Sequence, residues 1–315
     1  SMKKISQYLK DFVKADFNAG FYIYTAIFLI VTIYLNYNWG LEEKWIKDSN
    51  TWKDYFFSFT FNAFAYYAIA VPKAFVYKED YLKNISFWIK SSLFLLILSI
   101  DGSFFHHTHY IFSRDYLNYD EQYFLLKVIT NVYPTFIYFI PLIVLKYFYD
   151  RNEKGLYGLS IEGFDYKVYF VFLLIMAPLI FWASFQPDFL EAYPSFKPWS
   201  ASEVFALSRA QMSGIYEVFY LFDFITVELL FRGALVIGLS SIMGKHTILP
   251  MVVTYAFLHF GKPMAETLGS IFGGYMLGVI ALYSRSILGG CAIHMGVALL
   301  MEVMALIQYY LIQHH

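Results

Sequence analysis

Nine apolar stretches of the sequence are candidates for helices that cross a bilayer, and this feature constrains the fold most. About 20 predominantly apolar residues span the hydrocarbon core as a helix. The stretches are Phe21–Trp39, Tyr55–Tyr77, Ile85–Ile100, Tyr123–Phe148, Val168–Phe185, Gly214–Met243, Ile248–Phe260, Leu268–Tyr283 and Ile287–Leu311. Ile85–Ile100 and Ile248–Phe260 are short for a complete crossing. The sequence therefore predicts an all-α, polytopic transmembrane helical bundle with about eight to nine spans.

The composition supports the same conclusion. Hydrophobic residues make up 59% of the chain and charged residues only 15%, whereas about 25% of the residues in a soluble domain are charged. We therefore expect an integral membrane protein. The formal net charge of -1 provides no basic field for nucleic acid, so no nucleic-acid partner is expected. A single cysteine, Cys291, excludes an intrachain disulfide.

The chain divides into three predicted regions. Residues 1–20 form a polar, lysine-rich segment that we predict to be cytoplasmic and amphipathic. With the N-terminus in the cytoplasm, the outer connections hold only Lys44, Lys47, Lys53, Arg114, Lys197, Arg209 and Lys262, as the positive-inside rule favours. Residues 21–213 are predicted to be a transmembrane support region. Residues 214–311 are predicted to be the functional core.

Three smaller expectations concern packing. Gly155-Leu156-Tyr157-Gly158 predicts a turn-rich piece of surface. Lys90 lies within an apolar stretch, where its long side chain can snorkel to the membrane interface. Four glycines of the eighth stretch predict close helix packing, and they are Gly269, Gly273, Gly274 and Gly278.

Ionisable side chains lie within the apolar stretches of the C-terminal region, where each costs roughly 2.5 kcal/mol or more to bury in hydrocarbon. Glu228 and Arg232 are four residues apart, so they share a helix face and are predicted to pair. His259 and His294 follow on the next spans. We expect Glu228, Arg232, His259 and His294 to form one active site.

Further polar groups accompany these four. They are Glu217, Asp223, Lys262, Glu266 and Glu302. Two imidazoles and a carboxylate on separate helices are a usual arrangement for holding a water molecule or a metal ion for hydrolysis. His259, His294 and Glu228 would be chemically adequate ligands for zinc.

Three motifs in order carry a family resemblance. Glu228-xxx-Arg232, Tyr255-xxx-His259 and His294 resemble the CAAX protease and bacteriocin-processing (CPBP, Abi) family of intramembrane peptidases. Its signatures are Glu-Glu-xxx-Arg, Phe-xxx-His and His-xxx-Asn/Asp. The run from Ser284 to Gly290 is similar to bacterial members, which implies a bacterial inner membrane location. The resemblance covers roughly Gly214 to Glu302.

The resemblance implies an intramembrane peptidase that acts on a membrane-embedded or membrane-anchored peptide within the lipid bilayer. His259 and a carboxylate, by preference Glu228, would activate a water molecule directly or through a divalent metal ion. His294 would stabilise the tetrahedral oxyanion, and Arg232 would hold Glu228.

Two positions depart from the family pattern. Val227 replaces the first glutamate, and Ala298 replaces the Asx of the third motif. Either the base has moved to Glu228, Asp223 or Glu266, or the protein keeps the scaffold without proteolysis. The alternative function is thus an inactive family member that acts as a membrane peptide- or lipid-binding, immunity or scaffold protein. A transporter is a third interpretation, although the sequence contains no inverted repeat.

Overall fold

The computed structural model describes residues 2–153, 155–161, 164, 166–200 and 202–313. In these ranges the chain is helical, and extended pairing is limited to the isolated bridges Leu156–Leu159 and Val204–Leu207. The predicted all-α fold is therefore confirmed.

The helices, in chain order, begin and end as follows. They are α1 (Met2–Asp16), α2 (Ala19–Trp39), α3 (Leu41–Trp45), α4 (Lys53–Tyr77), α5 (Ile85–Gly102), α6 (His106–Phe112), α7 (Tyr119–Phe148), α8 (Tyr166–Ala183), α9 (Pro187–Ala192), α10 (Arg209–Glu228), a π-helical segment (Leu229–Gly238), α11 (Ser240–Met243), α12 (Ile248–Leu258), α13 (Met264–Ser284) and α14 (Leu288–Gln313). Short 3₁₀ turns cover Tyr81–Lys83, Pro198–Ser200 and Gly244–Thr247.

Seven helical runs of the described residues are long and apolar enough to cross a membrane, which fits an integral membrane protein. They are Ala19–Trp39, Ile85–Phe112, Tyr119–Phe148, Tyr166–Ala183, Arg209–Leu258, Met264–Ser284 and Leu288–Leu311. The expected eight to nine spans are not confirmed. The single run Arg209–Leu258 contains the predicted span Gly214–Met243 and all but the last two residues of the predicted span Ile248–Phe260. The predicted span Tyr55–Tyr77 forms α4, which is not among the seven.

The run Arg209–Leu258 contains irregular winding in its middle. A straight α-helix of its 50 residues would be about 75 Å long, far more than the roughly 30 Å hydrocarbon core. The π-helical segment Leu229–Gly238 uses i→i+5 hydrogen bonds, and all ten of its residues are buried. Gly244 then adopts a positive φ of 56°, which glycine accommodates without a Cβ penalty.

The chain forms two compact units. The first unit consists of Ser1–Ser103, Pro141–Asp165 and Glu228–Gly290, and the second consists of Phe104–Ile140, Tyr166–Val227 and Cys291–His315. The three sequence regions 1–20, 21–213 and 214–311 stay a prediction.

The core of the first unit surrounds α12. Every residue from Ile248 to Phe257 is buried, because α12 packs against α4, α13 and the π-helical segment. Phe257 contacts the Phe61 ring of α4 at a centroid distance of 5.0 Å. A helix of only 11 residues is stable here because neighbouring helices cover all of its faces.

Two of the four glycines of α13 allow close packing on α12, as predicted. A Cβ atom on Gly274 would lie 3.0 Å from the Tyr255 ring, and one on Gly278 would lie 2.5 Å from Met251. The other two, Gly269 and Gly273, have no such neighbour within 4 Å.

The predicted turns at Gly155–Gly158 are confirmed, but the expected surface location of this segment and the expected snorkelling of Lys90 were wrong. Tyr157 is fully buried, and its hydroxyl donates to Asp150 Oδ2 at 2.7 Å. Burial and this carboxylate raise the pKa of Tyr157. Lys90 is only 2% exposed, and its ammonium forms an ion pair with Asp150 Oδ2 at 2.7 Å and donates to the Gly238 carbonyl. The partners of Lys90 are distant in sequence, whereas Asp150 precedes Tyr157 by only seven residues.

The second unit has two clusters of buried residues. One contains Phe124, Phe196, Val204, Met212 and Tyr216. The other contains Ile180, Phe189, Tyr193 and Ala305. Both clusters combine long helices with the connection between α8 and α10, so this connection is part of the packed unit.

Candidate active site

Glu228 and Arg232 form a buried ion pair. Arg232 Nη1 lies 3.1 Å from Glu228 Oε1, and the two side chains are 1% and 0% exposed. The predicted pairing is confirmed, although the chain is π-helical from Leu229 onward. Removal of one partner of such a pair leaves an uncompensated buried charge, which costs about 3–5 kcal/mol.

Gly290 provides the space for the Glu228 carboxylate. A Cβ atom on Gly290 would lie 2.2 Å from Glu228 Oε2 and 3.0 Å from Glu228 Cδ, so only glycine fits. Because α14 begins at Leu288, Gly290 belongs to its first turn, where the helix dipole favours negative charge. Arg232 and this turn therefore both present positive charge to the carboxylate.

Tyr255 connects the ion pair to His259. The guanidinium carbon of Arg232 lies 4.1 Å from the centre of the buried Tyr255 ring. The His259 ring packs edge-on against the same tyrosine at a centroid distance of 4.6 Å. A cation over an aromatic face is stabilised by the ring quadrupole. Glu228, Arg232, Tyr255 and His259 therefore form a continuous array within the first unit.

His259 lies at the C-terminal end of α12 and is only partly buried. Its Nδ1 lies 2.8 Å from the Tyr255 carbonyl oxygen. A carbonyl only accepts hydrogen bonds, so Nδ1 carries the proton and the neutral ring has its lone pair on Nε2. The structure thus favours the tautomer in which Nε2 can accept a proton, as a general base must.

The backbone after His259 is held by hydrogen bonds. The His259 carbonyl accepts from Thr267 Oγ1 at 2.7 Å and from the Lys262 amide at 2.9 Å. Tyr37 at the end of α2 donates to the Lys262 carbonyl at 2.7 Å, and Asn36 donates to the Phe260 carbonyl at 2.9 Å. These contacts fix the position of His259 on α12.

Glu42 in α3 lies beside the same loop. A Cβ atom on Gly261 would lie 3.4 Å from Glu42 Oε2. Burial, and then the neighbouring Glu43, raise the pKa of Glu42 to about 7. A carboxyl group that titrates near neutrality therefore borders the His259 loop.

In the second unit, His294 contacts an aromatic ring. The rings of His294 and Phe224 lie 4.3 Å apart. Asp223, one residue before Phe224, accepts a hydrogen bond from Thr226 Oγ1 at 2.9 Å. Phe224 is therefore next to Asp223 in the chain and in contact with the His294 ring.

Glu302 and Glu217 form a second acidic contact in this unit. Glu302 is 1% exposed and accepts hydrogen bonds from the Ser195 amide at 2.9 Å and hydroxyl at 2.7 Å. Glu217 of α10 lies beside Glu302, and the Glu302 contacts connect α14 to the Ser195 segment.

The predicted site residues are distributed between the units. Glu228, Arg232, His259, Lys262 and Glu266 belong to the first unit, and Glu217, Asp223, His294 and Glu302 belong to the second. Within the described ranges, no three His, Cys, Asp or Glu side chains lie together as a metal ion would require. Convergence of His259, His294 and Glu228, around water or zinc, stays a prediction.

Sequence reasoning did not assign site roles to Tyr255 and Gly290. Tyr255 precedes His259 by four residues, so its place on the same helix face was available from spacing. The place of Gly290 against Glu228 was not, because the two residues are distant in the chain.

Residues 211–300 match the sequence model of the family described as type II CAAX prenyl endopeptidase Rce1-like. The matched segment contains Glu228, Arg232, His259 and His294, and it confirms the resemblance read from the motifs. No curated protein matches the chain significantly. The same holds for solved structures.

Proposed function

We propose that this membrane protein, whose residues 211–300 match the type II CAAX prenyl endopeptidase family, hydrolyses a peptide bond of a membrane-embedded or membrane-anchored substrate. The observation that carries the proposal is the array of Glu228, Arg232, Tyr255 and His259. It combines a buried carboxylate, its cation and a partly exposed imidazole in the tautomer of a base.

His259 is the group that takes the proton in this proposal. Glu228 pairs with Arg232 at 3.1 Å, and Nε2 carries the lone pair of the neutral His259 ring. The water oxygen attacks the carbonyl carbon while its proton passes to Nε2, and the C–N bond then breaks as His259 returns the proton to the leaving amine. Glu228 stabilises the imidazolium electrostatically.

His294 is proposed as the donor to the tetrahedral oxyanion, a role worth about 3 kcal/mol for one well-placed hydrogen bond. Arg232 is a positioning residue that holds Glu228. The proposed steps use side chains of the protein alone. We also propose that the protein lies in the inner (plasma) membrane of a bacterium, with its N-terminus in the cytoplasm.

The test uses the full chain in liposomes with internally quenched fluorescent peptides that end in a CAAX box, with and without a farnesyl group. We expect cleavage, and His259→Gln should reduce it about a hundred- to ten-thousand-fold, the usual worth of a positioned base. His109→Gln, at an exposed histidine, is the matched control and should retain activity. Equal activity of the two variants would refute the role of His259.

The carboxylate is located by a second pair of variants. Glu228→Gln should abolish cleavage, whereas Asp223→Asn should leave most of it, because Arg232 contacts Glu228. The reverse result would assign the role to Asp223.

The second candidate is an inactive family member that binds a peptide or lipid. It is favoured by Val227, which is partly exposed where the family has its first glutamate, while Glu228 is completely buried. Val227→Glu separates the two candidates. If the parent binds the peptides without cleaving them and this variant gains cleavage, the parent is the inactive form. A parent that cleaves supports the peptidase.

A further inference from the structure

The first helix, α1, has a face that anchors it to the first unit. Ile5, Phe12 and Asp16 are its buried residues. The Phe12 ring contacts Tyr275 of α13 at a centroid distance of 5.5 Å. Nearer the N-terminus, Tyr8 stacks on Tyr283 at 5.1 Å. Aromatic contacts along the helix thus hold α1 against α13.

The C-terminal end of α1 is fixed by charge. The Asp16 carboxylate is completely buried and forms an ion pair with Lys73 of α4 at 2.9 Å. The Tyr22 hydroxyl donates to the same carboxylate at 3.0 Å. Lys245 donates to the Ala15 carbonyl at 2.6 Å, where a cation also complements the helix dipole. The orientation of α1 about its own axis is therefore set.

The opposite face of α1 is cationic. Lys3, Lys10 and Lys14 lie within about 40° of one another on a helical wheel, directly opposite the buried face. All three are exposed, and Lys4 is exposed about 100° further round the helix. In the part of the chain that the structure describes, none of these lysines forms a salt bridge with a carboxylate. Their charge is available to a partner outside the protein.

Large apolar side chains lie beside the cationic face and just past the helix end: Met2 and Val13 lie on α1 between its anchored and cationic faces, and Phe17 directly follows its last residue. Met2, Val13 and Phe17 are 42%, 42% and 58% exposed. A helix that contacts only water would gain nothing from this apolar edge. The order around the helix, from protein to apolar edge to lysines, is that of a helix in the plane of a membrane interface.

We propose that α1 binds an anionic lipid surface. Lys3, Lys10 and Lys14 contact phosphate groups of the lipid headgroups, while Met2, Val13 and Phe17 enter the boundary of the acyl chains. Each lysine near an anionic surface contributes in proportion to the local potential, and the fixed orientation of α1 places all three on one side. This binding is independent of peptide hydrolysis.

The test measures which lipids gather around α1 in the intact protein. Ser6 is exposed on α1, and the single cysteine, Cys291, is buried, so a fluorophore is attached selectively to Ser6→Cys. The labelled chain is reconstituted into phosphatidylcholine nanodiscs that contain a small fraction of a doxyl-labelled quencher. The quencher is either phosphatidylglycerol or phosphatidylcholine at the same mole fraction.

We expect phosphatidylglycerol to quench more strongly, with a local enrichment of about fivefold, the value for a single lysine contact. The enrichment should fall to near unity in the triple variant K3Q/K10Q/K14Q and at 1 M salt, where the screening length is about 3 Å. The control K44Q/K47Q/K53Q also removes three positive charges, from exposed lysines that lie from α3 to the first residue of α4. This control should retain the enrichment. Equal quenching by the two lipids, an unchanged triple variant or an equal loss in the control would overturn the proposal.

Discussion

Substitution of Gly290 by alanine tests the geometry of the site without removing any charged group. A new Cβ atom would lie 2.2 Å from Glu228 Oε2, whereas ordinary contacts begin at 3.4 Å. The carboxylate must therefore move by about 1 Å, which pulls it from Arg232, now 3.1 Å away. Overpacking alone costs about 1–3 kcal/mol, and full loss of the buried pair costs about 3–5 kcal/mol. We expect Gly290→Ala to destabilise the protein by about 3 kcal/mol.

Gly273→Ala is the matched control. Gly273 lies within α13 and has no neighbour within 4 Å of an added Cβ atom, so alanine there should stabilise the helix by about 0.5–1 kcal/mol. The assay is thermal unfolding in one detergent, followed by intrinsic fluorescence. The two substitutions should shift the unfolding midpoint in opposite directions.

A double-mutant cycle identifies the cause of the destabilisation. In a Glu228→Ala background the obstructing carboxylate is absent, so Gly290→Ala should add almost no further cost. If Gly290→Ala is as benign as Gly273→Ala, or if its cost is unchanged without Glu228, the proposed contact is wrong.

Two further predictions concern charged groups. Arg232→Ala should destabilise the protein by about 3–5 kcal/mol, because Glu228 is left buried without its cation. Arg285→Ala, which removes a partly exposed pair with Glu153, should cost less than about 1 kcal/mol; equal unfolding midpoints would contradict the buried pair. The pKa of Glu42, raised from 4.5 to about 7, means that the folded state binds a proton more tightly than the unfolded state. Its contribution to stability is present below pH 4.5 and is lost as the pH rises through 7. Unfolding at pH 5 and pH 8 should therefore show a smaller pH dependence in Glu42→Gln than in the parent, and identical dependence would refute the assignment.

Local spacing explains what the sequence could predict at the site. Glu228 and Arg232 pair because residues four apart share a helix face, and this contact survives the change to π-helical winding. Tyr255 and His259 lie together for the same reason. Sequence spacing does not indicate contacts between distant residues. The burial of Lys90 against Asp150 is an example.

The difference in span number has a physical cause in α4. This helix is 25 residues long, but its tyrosines and Asn62 make it less apolar than the seven candidate spans. Its polar groups are satisfied within the protein, since Asn62 donates to Ser99 and Lys73 pairs with Asp16. The polar side chains that lower the apolar content of α4 therefore have partners within the protein.

The winding of Leu229–Gly238 depends on the contacts at its two ends. At one end the Glu228 carboxylate packs closely against Gly290, and at the other the Gly238 carbonyl accepts a hydrogen bond from Lys90. The Tyr157 ring also lies 3.0 Å from the position of a Cβ atom on Gly238. With both ends fixed, the number of residues between them determines how tightly the chain must coil. A one-residue insertion or deletion here would change the coiling of this segment first, so its length is a constraint on the protein separate from its composition.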